Sequence, residues 1–189
     1  MVSLLDGDEP VKMGKRAGNA VPLDELVADI GPDATRILSL MTSLDQTSTF
    51  DLAKVREQSV ENPVFYVQMA SARIGGVGRK AVERGVVRAP LSEVDLSLLT
   101  HQRELELIRC LEELPEVVAE AAVDRAPTRI TTWVRRLAAG FHGFYHDCPI
   151  LAPGVDPALA QARLWLVEAS RIGLAIGLGL LGVSAPEAL

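Results

Sequence analysis

The sequence predicts an all-α protein, a helical bundle that follows a short N-terminal strand and loop. Hydrophobic residues make up 48% of the 189 residues and aromatic residues only 4%, and this mixture, rich in Leu, Ala and Val, favours helices. Apolar residues recur at helical spacing, and proline or glycine, rather than the Asn-Gly pairs of tight hairpins, interrupts them. A chain of this length can bury one good core or two small ones, and we expect one main domain.

The N-terminal 21 residues predict a strand followed by a basic loop. Val2–Leu5 is a short apolar stretch typical of a strand, and Asp6-Gly7 predicts a turn. The loop Lys12–Asn19 combines glycines, which let backbone N–H groups approach a phosphate, with cations that balance its charge. On its own, such a pattern is more often a solvated basic loop.

Two short amphipathic helices are predicted next. Pro22 suits the first turn of one helix, which Gly31-Pro32 ends, and Asp33 resembles an N-cap of the second. The polar residues Thr47–Thr49 predict a break, after which a third helix is expected over Asp51–Val60.

The segment after Asn62 predicts a long helix that continues to about Arg84. Asn62 can cap this helix, and the proline that follows fits its first turn. On the helical period one side of the helix is lined by Phe65, Met69 and Ala72, and the neighbouring arcs hold Tyr66, Gln68 and Arg73. Neither a fully buried nor a fully solvated helix needs such a mixture. Taken singly, Phe65, Tyr66 and Met69 are ordinary core residues and Arg73 is an ordinary solvated one.

Two further helices are predicted over Ser97–Leu114 and Glu116–Val123. The first is strongly charged, and its carboxylates are most simply a solvated face. The residues expected to point inward from it are Leu98, Leu105, Ile108 and Leu111.

A long helix is predicted from Pro127 to about Tyr145. Its last turn and the residues after it hold a cluster that could be read as a metal site, although histidines on aromatic-rich helices are more often packing or hydrogen-bonding residues. We therefore expect no metal there. The cluster comprises His142, His146, Asp147 and Cys148, and the expected core positions of the helix are Ile130, Trp133, Val134, Leu137 and Phe141.

The last predicted helix runs from Pro157 to about Leu181 and ends in Ala, Gly and Leu, as in a helix clasped by others. Its apolar run, Ile172–Val183, is shorter than the roughly twenty residues that span a bilayer, so no membrane segment is expected. Cys110 and Cys148 form no disulfide framework, and no signal sequence opens the chain. We expect a reducing, cytoplasmic compartment.

Charge is distributed unevenly. The formal net charge of −6 argues against a protein that coats nucleic acid generically. Residues 54–88, however, hold seven basic and three acidic residues, whereas residues 91–126 hold three basic and nine acidic ones. An RNA would be steered to the first region and away from the second.

Three segments together resemble the arginyl-tRNA synthetase family. The family patterns are K-M-S-K-R-x-G-N, F-D-L-D-L-A-K and E-N-P-V-Y-Y-V-Q-Y-A-H-A-R, and this chain is similar at Lys12–Asn19, Phe50–Lys54 and Glu61–Arg73. Order and spacing agree from about residue 4 to the last residue. Further family-like segments are Phe144–Cys148, Ala162–Glu168 and Leu180–Glu187.

The resemblance implies three regions. Residues 1–21 would be a loop remnant of the catalytic domain, residues 22–50 a helical connector and residues 51–189 an anticodon-binding domain of the DALR type. It also implies a chain that begins just before the lysine loop and lacks the rest of the nucleotide site. Such a piece should bind tRNA without catalysing the ligation of arginine to it.

The loop Lys12–Asn19 resembles the class I synthetase loop that lies over the ATP phosphates. The resemblance assigns Lys12, Met13, Gly14 and Lys15 to ATP binding, with ATP and Mg²⁺ used by the full-length enzyme and no cofactor by this piece. Lys15 would act catalytically there, by stabilising charge on the phosphates as the arginyl-adenylate forms. Gly14 replaces the usual serine and removes a hydroxyl donor.

The implied partner is the anticodon stem-loop of tRNA(Arg), whose unpaired bases can be stacked and hydrogen-bonded. Met69 replaces a family tyrosine and Ser71 a histidine, so one aromatic platform is missing, although a thioether can still pack on a base. Leu189 stands where the family often ends in methionine. The residues implied to contact tRNA are Tyr66, Met69, Arg73, Phe144, Tyr145 and Leu189.

A competing hypothesis is a non-catalytic helical protein-interaction module derived from the same scaffold. The acidic net charge and the two replaced side chains would allow it. Another class I synthetase is disfavoured by the Glu61–Arg73 run. The remaining expectations are a monomer that binds neither DNA nor membranes.

Overall fold

The computed structural model of the protein describes residues 2–7, 9–11, 21–43 and 45–189. The Lys12–Asn19 loop, with the ATP-binding residues Lys12, Met13, Gly14 and Lys15, lies outside them. The strands are β1 (Val2–Asp6), β2 (Glu9–Pro10) and β3 (Ser48–Asp51). The helices are α1 (Leu23–Ile30), α2 (Pro32–Leu40), α3 (Leu52–Arg56), α4 (Pro63–Glu83), α5 (Gln102–Glu112), α6 (Leu114–Asp124), α7 (Thr128–Asp147) and α8 (Pro157–Leu181).

The strands form a small sheet in the order β2-β1-β3. The expected N-terminal strand is confirmed as β1, which pairs antiparallel with β2 and parallel with β3, with Leu4 opposite Phe50. The expectation of a break at Thr47–Thr49 was wrong in part, because Ser48 and Thr49 belong to β3. The partner of β3 is β1, more than forty residues away in the sequence. Such a parallel pairing leaves no pattern near β3 that would predict a strand.

The connector helices α1 and α2 are separated at Gly31, whose φ of 82° favours glycine. Asp33 lies in the first turn of α2 and is not its N-cap, because the helix already begins at Pro32. Asp51 caps α3 as expected, by accepting a hydrogen bond from the Lys54 amide. The helix ends at Arg56, earlier than the predicted end at Val60.

Helix α4 begins where the sequence predicts, and Asn62 fixes its start from both sides. The Oδ1 atom of Asn62 accepts hydrogen bonds from the amides of Val64 and Phe65 at 3.0 and 3.2 Å. Its Nδ2 donates to the carbonyls of Val55 and Glu57 at 2.6 and 2.9 Å. One buried side chain therefore caps α4 and anchors the chain that leaves α3.

Helix α7 packs against α4, α5, α6 and α8. Trp133 is a core residue, as predicted, and its indole N–H donates to the Cys110 carbonyl at 2.7 Å. The predicted inward positions of α7 are all buried: Ile130, Trp133, Val134, Leu137 and Phe141.

Helix α8 closes the bundle through small residues. A Cβ atom at Gly177 would lie 2.5 Å from Val134 Cγ2, and one at Gly173 would lie 2.8 Å from Leu111 Cδ2. By length and composition α8 could cross a membrane, but half of its apolar window is buried in the bundle. A core helix of a bundle meets the same criterion, so α8 is explained by its packing.

The predicted inward face of α5 was wrong in part: Leu111 packs against the core and Leu98 is partly buried, but the other two predicted positions are not. Leu105 and Ile108 are 37% and 36% exposed, whereas Glu104, Leu107 and Cys110 are buried. Glu104 can be buried because both of its carboxylate oxygens have partners. Oε2 accepts a hydrogen bond from the His101 amide at 2.9 Å, and Oε1 accepts one from Arg163 Nε at 2.6 Å. This buried ion pair allows the face of α5 that carries Glu104 to pack against the core.

Candidate nucleic-acid interface

The outward side of α4 carries a row of partly exposed residues between two flanking structures. Phe65, Met69, Ala72 and Gly76 follow one another at helical spacing and are all partly exposed. On one side of them α4 meets α7, and on the other it meets the C-terminal segment, residues 184–187. We call this row and its two flanks the α4 surface.

The α7 flank joins Tyr66 to His142. Their ring centroids are 4.5 Å apart and the rings are inclined at 62°, an edge-on arrangement. His142 Nε2 lies 3.0 Å from the Tyr66 carbonyl oxygen. Tyr66 is partly buried against the core, so its ring is held in place while part of it remains accessible.

Arg73 completes this flank. Its Nη1 lies 2.7 Å from His142 Nδ1, and its guanidinium carbon lies 5.7 Å from the centre of the Tyr145 ring. Because a guanidinium can only donate, Nδ1 must accept, and Nε2 carries the proton that is donated to the Tyr66 carbonyl. The geometry thus requires the neutral form of His142 with its proton on Nε2.

The environment of His142 supports that form. Burial lowers the pKa of His142 below its usual value, and the charge of Arg73 acts in the same direction, while the hydrogen bond to the Tyr66 carbonyl opposes them. A neutral imidazole therefore orients Arg73.

The other flank is held by Asp33. Its Oδ2 accepts from Gln68 Nε2 at 3.0 Å and from the Ser184 amide at 3.2 Å, and it also accepts from the Ser184 hydroxyl. Gln68 Nε2 lies 3.1 Å from Ser184 Oγ as well. One carboxylate thereby joins α2, α4 and the C-terminal segment.

A second attachment lies further along α4. Arg79 Nη1 donates to the Glu187 carbonyl at 3.0 Å. At Gly75 a Cβ atom would lie 2.5 Å from the same carbonyl oxygen. The C-terminal segment therefore lies directly on α4, and glycine at position 75 permits this approach.

The structure brings together most of the residues implied to contact RNA. Tyr66, Arg73 and Tyr145 converge on the α7 flank, and Met69 is partly exposed beside them. Phe144 is a correction: its side chain is 0% exposed, since it points into the core and cannot meet a base. Leu189 is 62% exposed and does not join Tyr66, Arg73 and Tyr145.

The possible metal cluster does not converge. His142 is engaged on α4, the His146 side chain is 88% exposed and pairs with Asp147, and Cys148 Sγ lies 3.3 Å from His101 Nδ1. Burial raises the pKa of Cys148 to about 11, which disfavours a thiolate ligand. No group of three or more His, Cys, Asp or Glu residues that could hold a metal occurs among the described residues.

Sequence reasoning missed the roles of His142, Asp33 and Ser184. His142 was noticed only as part of the histidine cluster, although its spacing from Tyr145 already placed both on one side of α7. The hydrogen bonds of Ser184 join residues more than a hundred positions apart. No periodicity within one helix could have indicated them.

Comparison with known proteins agrees with this arrangement. The family model of the DALR anticodon binding domain matches residues 67–189. The arginine–tRNA ligase of Carboxydothermus hydrogenoformans is 46% identical over 187 residues, which are 99% of this chain and 33% of that protein. The arginine–tRNA ligase of Frankia alni is 47% identical over 189 residues, covering 99% of this chain and 34% of that protein.

Solved structures share the fold. A protein described as an arginyl-tRNA synthetase from Campylobacter jejuni superposes with a TM-score of 0.86 at 30% identity, over 100% of this chain and 40% of that one. The arginyl-tRNA synthetase of Thermus thermophilus gives a TM-score of 0.77 at 25% identity, over 98% of this chain and 34% of that one. The chain spans about a third of the length of the curated relatives it matches. The helical bundle and the matched family model agree, and the chain belongs to the DALR anticodon-binding domain family.

Proposed function

We propose that this chain binds the anticodon stem-loop of tRNA(Arg), as the RNA-binding part of an arginine–tRNA ligase. The observation that carries the proposal is the convergence of Tyr66, Arg73 and Tyr145 beside Met69 on the α4 surface of a DALR domain. The arginine specificity rests on the relatives, which are arginine–tRNA ligases.

The chemistry of the α4 surface suits unpaired bases. Aromatic rings give a stacked base about 1–3 kcal/mol with little sequence preference, and hydrogen bonds to base edges add discrimination. Tyr66 and Tyr145 offer partly exposed rings, Met69 a polarisable thioether, and Arg73 a cation that can stack or donate. Because His142 fixes Arg73, the guanidinium is ordered before RNA arrives.

The ligation reaction is proposed for the longer enzyme alone. There, by resemblance, the loop with Lys12 and Lys15 would lie on ATP and its Mg²⁺, and Lys15 would stabilise the charge on the phosphates. The 189-residue chain is proposed to bind RNA as a cytoplasmic monomer and to be inactive in arginylation. Failure to form arginyl-tRNA from arginine, ATP and tRNA(Arg) is the expected result for it.

A filter-binding assay tests the proposed partner. The chain is titrated with tRNA(Arg) and with a non-cognate tRNA of equal length at two salt concentrations. We expect tighter binding of tRNA(Arg) at both salts, because base contacts depend on salt less than phosphate contacts do. Equal and strongly salt-sensitive affinity would reduce the interaction to phosphate attraction. No binding of either RNA would favour the protein-interaction module, which the acidic net charge allows.

A further inference from the structure

A cleft of about 340 Å³ continues the α4 surface toward the end of α7. Its walls are the second half of α4 on one side and, on the other, the last turn of α7 with the loop that follows. Tyr145 belongs to both places: Arg73 lies over its ring, and the residue is part of the cleft wall. A molecule that occupied the α4 surface could therefore extend into the cleft without a break.

Cations on one face of α4 connect the two places. Arg73, Val77, Lys80 and Arg84 are spaced by four, three and four residues, which puts them in one row along the helix. The row is about 16 Å long at 1.5 Å per residue. Since consecutive phosphates of a stacked strand advance by about 3.4 Å along its axis, the row spans several nucleotides.

The cleft presents its cations outward. Lys80 and Arg84 are exposed, whereas Val77, which lies between Arg73 and Lys80 in the row, is only 2% exposed and gives the cleft an apolar floor. Arg84 follows the last residue of α4 and donates to the Leu151 carbonyl, which fastens the α7 loop to the cleft. A cation at this end of a helix is also favoured by the helix dipole.

Two acidic residues adjoin the cleft residues in sequence: Glu83, which lines a different pocket, and Asp147, which is engaged by its own partners. Asp147 accepts from Arg103 Nε at 2.9 Å and lies 2.6 Å from His146 Nδ1. These bonds lower the pKa of Asp147, first through His146 and then through Arg103. Its charge is thus balanced by its own partners, and the cation row keeps its attraction for an anion.

We infer that Lys80 and Arg84, with this cleft, hold the sugar-phosphate backbone of the RNA strand that leads away from the bases on Tyr66 and Tyr145. The inference rests on the proposed function and adds to it a second contact region of different chemistry. The occupant is an RNA backbone because the cleft is continuous with the aromatic surface and complementary to phosphate in charge. Such contacts position the strand and carry no sequence information.

The test is the salt dependence of stem-loop binding by charge-neutral variants. Lys80→Gln and Arg84→Gln remove charge while keeping an N–H donor at each position. The logarithm of the binding constant falls linearly with the logarithm of the salt concentration. Each lost phosphate contact should make this slope less steep by about 0.7 for a single strand. The ratio of the wild-type binding constant to that of the double variant should therefore fall about sevenfold when the salt concentration rises fourfold.

Two further variants serve as controls. Arg109→Gln removes an exposed cation on α5 and should leave the slope unchanged, whereas Lys80→Arg keeps the charge and should retain wild-type binding. The loss should be equal for arginine and non-cognate stem-loops. An unchanged slope, or a loss confined to the arginine stem-loop, would overturn the inference.

The two proposals fail in different ways. A wild-type chain without preference for the arginine stem-loop would contradict the anticodon proposal. The comparison of salt slopes would still show whether Lys80 and Arg84 contact phosphates. Absence of any RNA binding by the wild-type chain would overturn both.

Discussion

Arg73 Nη1 lies 2.7 Å from His142 Nδ1, and this bond joins the middle of α4 to the last turns of α7. The same histidine lies 3.0 Å from the Tyr66 carbonyl through its other ring nitrogen. One neutral side chain therefore sets both the direction of Arg73 and its place beside the Tyr145 ring. The proposed contacts of Arg73 with RNA depend on this order.

Two substitutions at His142 should separate its two bonds. Glutamine can place a donor near the Nε2 position but loses the acceptor for Arg73, whereas asparagine can keep an acceptor near Nδ1. We expect His142→Gln to weaken tRNA(Arg) binding by about 0.5–1.5 kcal/mol, the usual value of one hydrogen bond. His142→Asn should bind more tightly than His142→Gln in a filter assay. If both variants lose affinity equally at unchanged stability, His142 does not act through Arg73.

Protonation of His142 should cost folded-state stability. Its pKa is lowered in the folded chain, so the unfolded chain binds the proton more readily and stability rises with pH between the lowered value and about 6.5. Stability should therefore fall as pH drops below about 6.5, relative to His142→Asn, which cannot titrate there. Urea unfolding of both proteins between pH 5 and 8 measures the difference. Parallel curves for the two proteins would remove His142 as the titrating group.

Two glycines of α4 form a matched pair. Alanine at Gly75 would bring Cβ within 2.5 Å of the Glu187 carbonyl, so the C-terminal segment must move. Alanine at Gly78 meets no atom within 4 Å among the described residues and should stabilise the helix by about 0.5–1 kcal/mol. Carboxypeptidase digestion followed by mass spectrometry should show faster trimming of Gly75→Ala alone. Equal trimming of Gly75→Ala and the wild type would mean that the segment does not depend on this approach.

The ion pair between Glu104 and Arg163 should be worth more than a surface pair. Glu104 is 1% and Arg163 8% exposed, and Arg163→Ala would leave the carboxylate buried without its partner. We expect a loss of about 3–5 kcal/mol in the free energy of unfolding. Arg129→Ala, which breaks exposed pairs with Glu120 and Asp124, should cost at most about 1 kcal/mol. Similar losses in urea unfolding of the two variants would contradict the assigned burial.

The sequence indicated much of the bundle because local rules operate there. The cap at Asn62 and the apolar spacing of α7 depend on neighbours within a few residues, and both were predicted correctly. The face of α5 was predicted correctly only at Leu111, since Leu105 and Ile108 are more apolar than Glu104 and yet lie outside the core. The buried position of Glu104 depends on Arg163, 59 residues away, which no local pattern reveals.

The site was predictable to a similar degree. Tyr66, Met69 and Arg73 share a helix whose register the sequence fixes, so their proximity could be inferred. Phe144 and Tyr145 are adjacent in sequence, and only packing decides that Phe144 is buried while Tyr145 faces Arg73. The placement of the C-terminal segment on α4 depends on Asp33 and Gln68, both distant in sequence from Ser184.

One measurement tests the central claim most directly: the affinity of the chain for a tRNA(Arg) anticodon stem-loop, against the same stem with its three anticodon bases replaced. The phosphates are identical in the two RNAs, so a difference reports contacts to bases. Because hydrogen bonds to base edges discriminate between bases, we expect at least a tenfold preference for the arginine anticodon, corresponding to about 1.4 kcal/mol. Equal affinity for the two stem-loops would contradict it.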